Sequence, residues 1–262
     1  MCTLFIAARA VPGASLVVVA NRDEQRDRAS SPPLRWDGFV APRDDVAGGT
    51  WLGLSDHGVF VAITNRYLGM RDAARVSRGA LVTGALRSPS ARAIHEAMSR
   101  LDPARHNGFH LVYADDRDVL ATVSDGRELS QVTLGDGLSI VTERSFGAGD
   151  GDRDGDDARV RKILARWSHL DAAGPFDLAR ATSLLAEHDS VDPLGATCIH
   201  LDALRYGTRS AMVLGVAEAR AGAEASPFGR ARMLWAEGPP CTAPFTAIDL
   251  ATLARAAPEK SR

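Results

Sequence analysis

An α+β fold, with helices laid on the faces of mainly antiparallel sheets, is predicted by three features of the 262-residue sequence. Two β-rich runs, CTLFIAA and SLVVVANRD, flank a Pro12-Gly13 turn at the N-terminus. Apolar residues then change to helical spacing between residues 78 and 108. Short strands punctuated by Asp/Gly turns return after that, followed by further helix and strand. Blocks of this kind pack as helices against antiparallel sheets. No internal repeat and no interior linker divides the chain, so residues 1–262 are read as one domain.

The elements follow in order. The N-terminal runs form a hairpin whose first strand starts at Cys2. RASSPPLRW is polar and proline-containing, and reads as a loop. GGTWLGLSDHGVFVAITNRY gives a short strand, a turn at Asp56-His57-Gly58 and an alternating strand from Val59 to Thr64. Leu81, Ala85 and Leu86 make one helical stripe, and Ile94, Met98 and Leu101 make a second after the Ser88-Pro89-Ser90 break. Residues 109–143 return to strands. Helices are expected at DARVRKILARWSHL and FDLARATSLLAEHDS, then two strands within residues 197–220.

Composition narrows the function classes. Hydrophobic residues are 45% and charged residues 24%, an ordinary globular balance, and the formal net charge of -2 gives no reason to expect a nucleic-acid or membrane partner. Three cysteines, at 2, 198 and 241, without CxxC spacing, predict neither a disulfide framework nor a zinc site, and a reducing cytoplasmic setting. The apolar N-terminal run lacks a positive leading region and is broken by Arg9 and Pro12-Gly13, so it predicts neither a signal peptide nor a membrane span.

The chemistry is expected at the N-terminus. Cysteine is small enough at position 2 for Met1 to be trimmed, which would leave nucleophile and base in one residue. A free thiol titrates near ~8.5 and an α-amine near ~7.7–8.0, so the amine can take the thiol proton at little cost. Arg22, on the adjacent strand, would lower the thiol value further, and Asp23 would hold the ammonium. The bland alternative is that Cys2 is a small buried hydrophobe and that Asn21-Arg22-Asp23-Glu24 is a polar strand end.

The terminal MC, then ANRDE, GGTWLGLSDHGVFVAITNR, SRGALV and YGTRSAMVL, in this order, resemble the NRDE family, also called the transport and Golgi organisation 2 family. The resemblance runs from the first residue to about residue 216. That family in turn resembles the cysteine-type N-terminal-nucleophile hydrolases, which include penicillin V acylases and bile-salt hydrolases. It implies a four-layer αββα sandwich and cleavage of a C–N amide or related acyl bond through a thioester. Carried over by position, it implies Cys2 as nucleophile, Arg22 beside the thiolate and Asp23 at the amine. Neighbouring strand residues face opposite ways, so Arg22 and Asp23 can both serve Cys2 only if the strand ends or bulges there. Glu24 is the fallback carboxylate.

Asn65 maps onto the oxyanion-hole asparagine, the alternative being a turn residue. Arg209 maps onto a late active-site arginine, the alternative being an exposed strand residue. Glu143 stands where a second asparagine is usual, and a carboxylate there would repel an oxyanion. Asn21, Glu24, Trp51 and Glu143 are read as substrate contacts. No cofactor is implied. Haem enters only as cargo, because some relatives are associated with haem movement, and a carrier of haem, acyl-CoA or lipid is the competing class. The expected ligand is a small amide, acyl or lipid-like molecule.

Two other signals fail on spacing. Asp150, Asp152, Asp154 and Gly155 begin like a calcium loop, but Arg161 stands where the bidentate glutamate belongs. Gly48-Gly49 has no Gly-Lys-Ser continuation and reads instead as a turn before Trp51 packs. Cys198 lies in an apolar run and reads as a core residue.

Overall fold

The computed structural model describes residues 2–69, 71–144, 146–147, 157–172, 177–219 and 226–259. Met1 and the acidic stretch up to residue 156 lie outside the described residues, so the readings placed on them stay untouched.

Alternation along the first hairpin sets the layers. On β1 (Thr3–Val11) Leu4, Ile6 and Ala8 join the core between the sheets, while Phe5 and Ala7 join the core beneath the helices. On β2 (Ala14–Gln25) Leu16, Val18 and Ala20 follow the first set, and Val17 and Val19 the second. Both faces of these strands are covered, which is why their sequences are almost continuously apolar.

The chain continues through β3 (Ser30–Trp36), β4 (Phe39–Asp44), β5 (Leu52–Ser55), β6 (Phe60–Asn65), α1 (Gly79–Ala85), α2 (Ala91–Met98), β7 (Phe109–Ala114), β8 (Val119–Ser124) and β9 (Leu129–Thr133). These strands form a seven-stranded antiparallel meander in sequence order, with α1 and α2 packed on its outer face through Leu81, Val82, Leu86 and Ile94. Next come β10 (Gly137–Val141), β11 (Phe146–Gly147), α3 (Asp157–Ala172), α4 (Leu178–Ala181), β12 (His200–Leu201), β13 (Tyr206–Ala217), α5 (Pro227–Arg230), β14 (Ala231–Ala236), β15 (Thr246–Ile248) and α6 (Leu250–Arg255). They complete the other sheet, ordered β11-β10-β1-β2-β13-β14-β15 with β12 on β13. Ile163 of α3, Ala181 of α4, and Leu184 and Leu185 cover its outer face. The result is the expected αββα sandwich. Among the described residues no helix is long and apolar enough to cross a membrane.

Two segments differ from expectation. RASSPPLRW contains a strand, not a loop, because β3 lies at the edge of its sheet, where Pro32 and Pro33 need not donate; the register shifts there between Ser31 and Leu34. The helix expected over residues 176–190 stops after α4 and a single 3-10 turn at Thr182–Leu184. Tertiary donors take the carbonyls that a longer helix would use. Thr197 Oγ1 donates to Leu184 O (2.7 Å), Asn21 Nδ2 to Leu185 O (3.0 Å) and the Cys198 amide to Glu187 O (2.7 Å).

Candidate active site

The first ladder pairs Thr3 with Asn21, which brings Cys2, just before β1, beside Arg22. By alternation both belong to the face between the sheets. Arg22 is buried, and its Nη2 donates to Asp44 Oδ2 at 3.0 Å. Arg28 Nε donates to the same oxygen at 2.7 Å, while Asp44 Oδ1 accepts the amides of Val46 (3.1 Å) and Ala47 (3.0 Å). Burial opposes ionisation of Asp44. The Arg28 hydrogen bond, the Ala47 amide and the charges of Arg28 and Arg22 outweigh it and hold the carboxyl below its ordinary 3.8. Arg22 Nη1 is buried with no acceptor among the described residues.

The opposite wall comes from the second sheet and the start of α1. A Cβ on Gly49 would stand 2.8 Å from the Gly79 carbonyl carbon, so this turn closes on the helix only as glycine. Between these walls lies a cavity of about 100 Å3, lined by Cys2, Arg22, Asp23, Glu24, Trp51 and Asn65, with Arg28, Asp44, Arg71 and Arg78 among its other walls. Trp51 keeps its buried indole N–H without an acceptor among the described residues. The Cys2 thiol is pushed up, chiefly by burial and further by the Asp23 carboxylate, whereas the Asp23 backbone N–H and the Arg22 charge pull it down.

The strand that carries Arg22 and Asp23 neither ends nor bulges between them, so the condition for both to serve Cys2 is not met on β2 itself. β2 runs unbroken to Gln25, and the irregularity falls on β13, where Thr208 pairs with Asp23 and Ser210 with Arg22, leaving Arg209 as the extra residue. Asp23 Oδ1 accepts from Thr208 Oγ1 at 2.6 Å, and Tyr206 donates to the Asp23 carbonyl at 3.0 Å. Asp23's charge still acts on the Cys2 thiol. Glu24 lines the cavity 3.9 Å from Arg28 Nε.

Two expected site residues lie elsewhere. Asn21 is one position out of phase with Arg22, so its amide points to the helix layer and donates to Leu185 O and Thr197 O (2.8 Å). Arg209, the extra residue of the bulge, stands 3.7 Å from Glu237 and lines neither cavity at the site.

Asn65, exposed at the end of β6, stands where the small cavity meets a larger one of about 450 Å3. Arg66, Arg71, Arg75, Arg78 and Arg127 line the larger cavity, against Asp72, Asp125 and Glu143. Glu143 is buried, with Arg144 Nε 3.8 Å from its carboxylate, and its carbonyl accepts the Tyr67 amide at 2.7 Å. Arg78 donates to Gly108 O at 2.8 Å, and burial, aided by the Arg71 charge, lowers it to about 10. Sequence reasoning missed Asp44, Arg28 and Arg71 as site residues. For Arg78 there was a signal, since it sits inside SRGALV. Cys198, read as core, is fully buried, but its thiol meets His200 and Cys241, which nothing in their spacing foretold.

Solved structures share this fold. The chain matches the Caenorhabditis elegans ortholog of N-acylethanolamine-hydrolyzing acid amidase over 88% of its length and 98% of that chain, at 12% identity and a TM-score of 0.53. It matches a variant of the conjugated bile acid hydrolase from Clostridium perfringens over 99% of its length and 95% of that chain, at 9% identity and a TM-score of 0.59. The sandwich therefore has the N-terminal-nucleophile hydrolase fold. No curated protein matches the sequence. The model of the transport and Golgi organisation 2 family matches residues 1–223, and the chain belongs to that family.

Proposed function

We propose that the chain is an N-terminal-cysteine hydrolase that cleaves a C–N amide or related acyl bond, with Cys2 made the first residue by removal of Met1. One observation carries this reading: Cys2, Arg22, Asp23 and Asn65 share a single cavity that opens beside a larger one. The α-amine of Cys2 takes the thiol proton, and the thiolate adds to the substrate carbonyl. Arg22 favours the thiolate, Asp23 the ammonium, and the Asn65 amide donates to the oxyanion. As the intermediate collapses, the C–N bond breaks and the ammonium returns its proton to the leaving amine, leaving a thioester. Water, losing a proton to the same amine, then displaces the thiol and releases the acid.

The arginines of the larger cavity favour a substrate whose acyl or leaving group carries a carboxylate or phosphate. Glu143, on that wall, disfavours a second oxyanion donor there.

The test is intact mass followed by labelling. Loss of Met1 and selective acylation of Cys2 by an electrophilic acyl probe, absent in Cys2→Ala, is the expected result. If Cys2 of the Met1-free protein reacts no faster than Cys198 and Cys241, the hydrolase reading fails and carriage of an anionic acyl ligand or haem without turnover takes its place.

A further inference from the structure

Two cysteines and a histidine that the catalytic reading leaves unused meet where β12 begins. Cys198 is fully buried, its amide held by the Glu187 carbonyl, and His200 opens β12 two residues on. Cys241 arrives from a turn after β14, where Thr242 and Ala243 donate to the Pro239 carbonyl. Cys198 Sγ lies 3.5 Å from Cys241 Sγ and 3.4 Å from His200 Nε2, which is itself 3.1 Å from Cys241 Sγ. In a tetrahedral zinc centre, bonds of about 2.3 Å to sulfur and about 2.0–2.1 Å to nitrogen make these edges about 3.8 Å and about 3.6 Å. All three observed edges come within about 0.5 Å of that triangle.

We propose that Cys198, His200 and Cys241 form a binding site for a thiophilic metal ion, zinc above all, with solvent at the fourth position. Two sulfurs and an imidazole select soft and borderline ions over calcium or magnesium. On binding, each thiol loses its proton to solvent, His200 ligates through Nε2 and its remaining proton sits on Nδ1. Arg26 Nη2, now 3.2 Å from His200 Nδ1, must then give up that contact to the imidazole N–H and keep only its pairing with Asp202. The other chemistry open to two close thiols is a disulfide, which needs an outside oxidant such as oxygen or glutathione disulfide and has no use for the imidazole between them.

Bound metal would tie residues 198–201 to the 239–243 turn. That segment also steadies the NRDE end of β2, because the Ile199 amide donates to Thr208 Oγ1 (2.8 Å), the hydroxyl that holds Asp23. None of the three ligands lines the Cys2 cavity, so the site stands or falls independently of the hydrolase reading.

The experiment uses the full chain, purified under a phosphine reductant without chelator, and titrates it with Co2+ and then Zn2+. We expect one Co2+ per chain, with near-ultraviolet thiolate charge-transfer bands and strong tetrahedral visible bands, displaced by one Zn2+. Cys241→Ser, at a part-exposed turn, and His200→Ala should each weaken binding by more than the 10–100-fold or so typical of losing an outer-shell partner. Cys2→Ser should leave it unchanged, and Arg26→Ala should tighten it. Circular dichroism checks the fold of each variant. A reduced, folded protein without the bands, or bands that survive in Cys241→Ser, overturns the proposal. So does a Cys198–Cys241 disulfide that persists under reductant.

Discussion

Replacing Asp44 by asparagine separates two consequences of one carboxylate. Asp44 Oδ2 holds both Arg22 (3.0 Å) and Arg28 (2.7 Å), and Oδ1 holds two turn amides. A hydrogen bond to a charged group contributes about 1.5–3 kcal/mol, which suits Arg22, whose side chain is 7% exposed. Arg28, at 24%, is screened by solvent and contributes nearer the ~0.2–1 kcal/mol of an exposed pair. Asparagine's one oxygen can serve the turn or a guanidinium, not both, so the variant should lose about 2–4 kcal/mol. For a chain of this size that lowers Tm by about 4–8 °C. Because the folded carboxyl lies below its ordinary 3.8, this stability is complete above that pH and disappears as pH falls through the folded value. The gap between wild type and variant should therefore close in acid. The thiol should move oppositely: with Asp44 neutralised, the Arg22 charge acts on Cys2 undiluted, and the alkylation midpoint of Cys2, followed peptide by peptide, should fall. A stability gap that persists well below pH 3.8, or a Cys2 midpoint that stays put or rises, refutes the reasoning.

Two further outcomes are expected. Asn65→Ala should slow acylation of Cys2 by an ester or amide probe about 100-fold, from roughly 3 kcal/mol of lost oxyanion stabilisation. Because Asn65 is exposed, the melting curve should stay unchanged, and an unaltered acylation rate removes it from the site. Gly53→Ala should destabilise by about 1–3 kcal/mol in urea unfolding. Its Cβ would meet Leu86 Cδ1 at 2.7 Å, Ala41 Cβ at 2.9 Å and Val40 O at 3.0 Å, and wild-type stability would mean that β4 and α1 yield more easily than this packing implies.

Features that depend on neighbours along the chain are legible in the residues alone. The hairpin about Pro12-Gly13 follows from alternation and a turn dipeptide, and α2 from its apolar stripe after the Ser88-Pro89-Ser90 break; the structure adds that the Ser90 hydroxyl caps it, accepting the Ala93 amide at 3.1 Å. Cys2 beside Arg22 is legible in the same way, since one hairpin register places them. Partnerships across long loops are not legible there and come from packing. Asp44 reaches Arg22 through a different sheet, Arg71 and Arg78 come from the connection after β6, and Cys241 meets Cys198 from 43 residues away. Asn21 and the shortened α4 share this origin: a strand amide claims a carbonyl that local helix propensity had assigned to the helix. Periodicity reports which face of an element is buried. It carries no information about which distant side chain satisfies a buried charge or carbonyl, because that choice is made by packing one layer on the next.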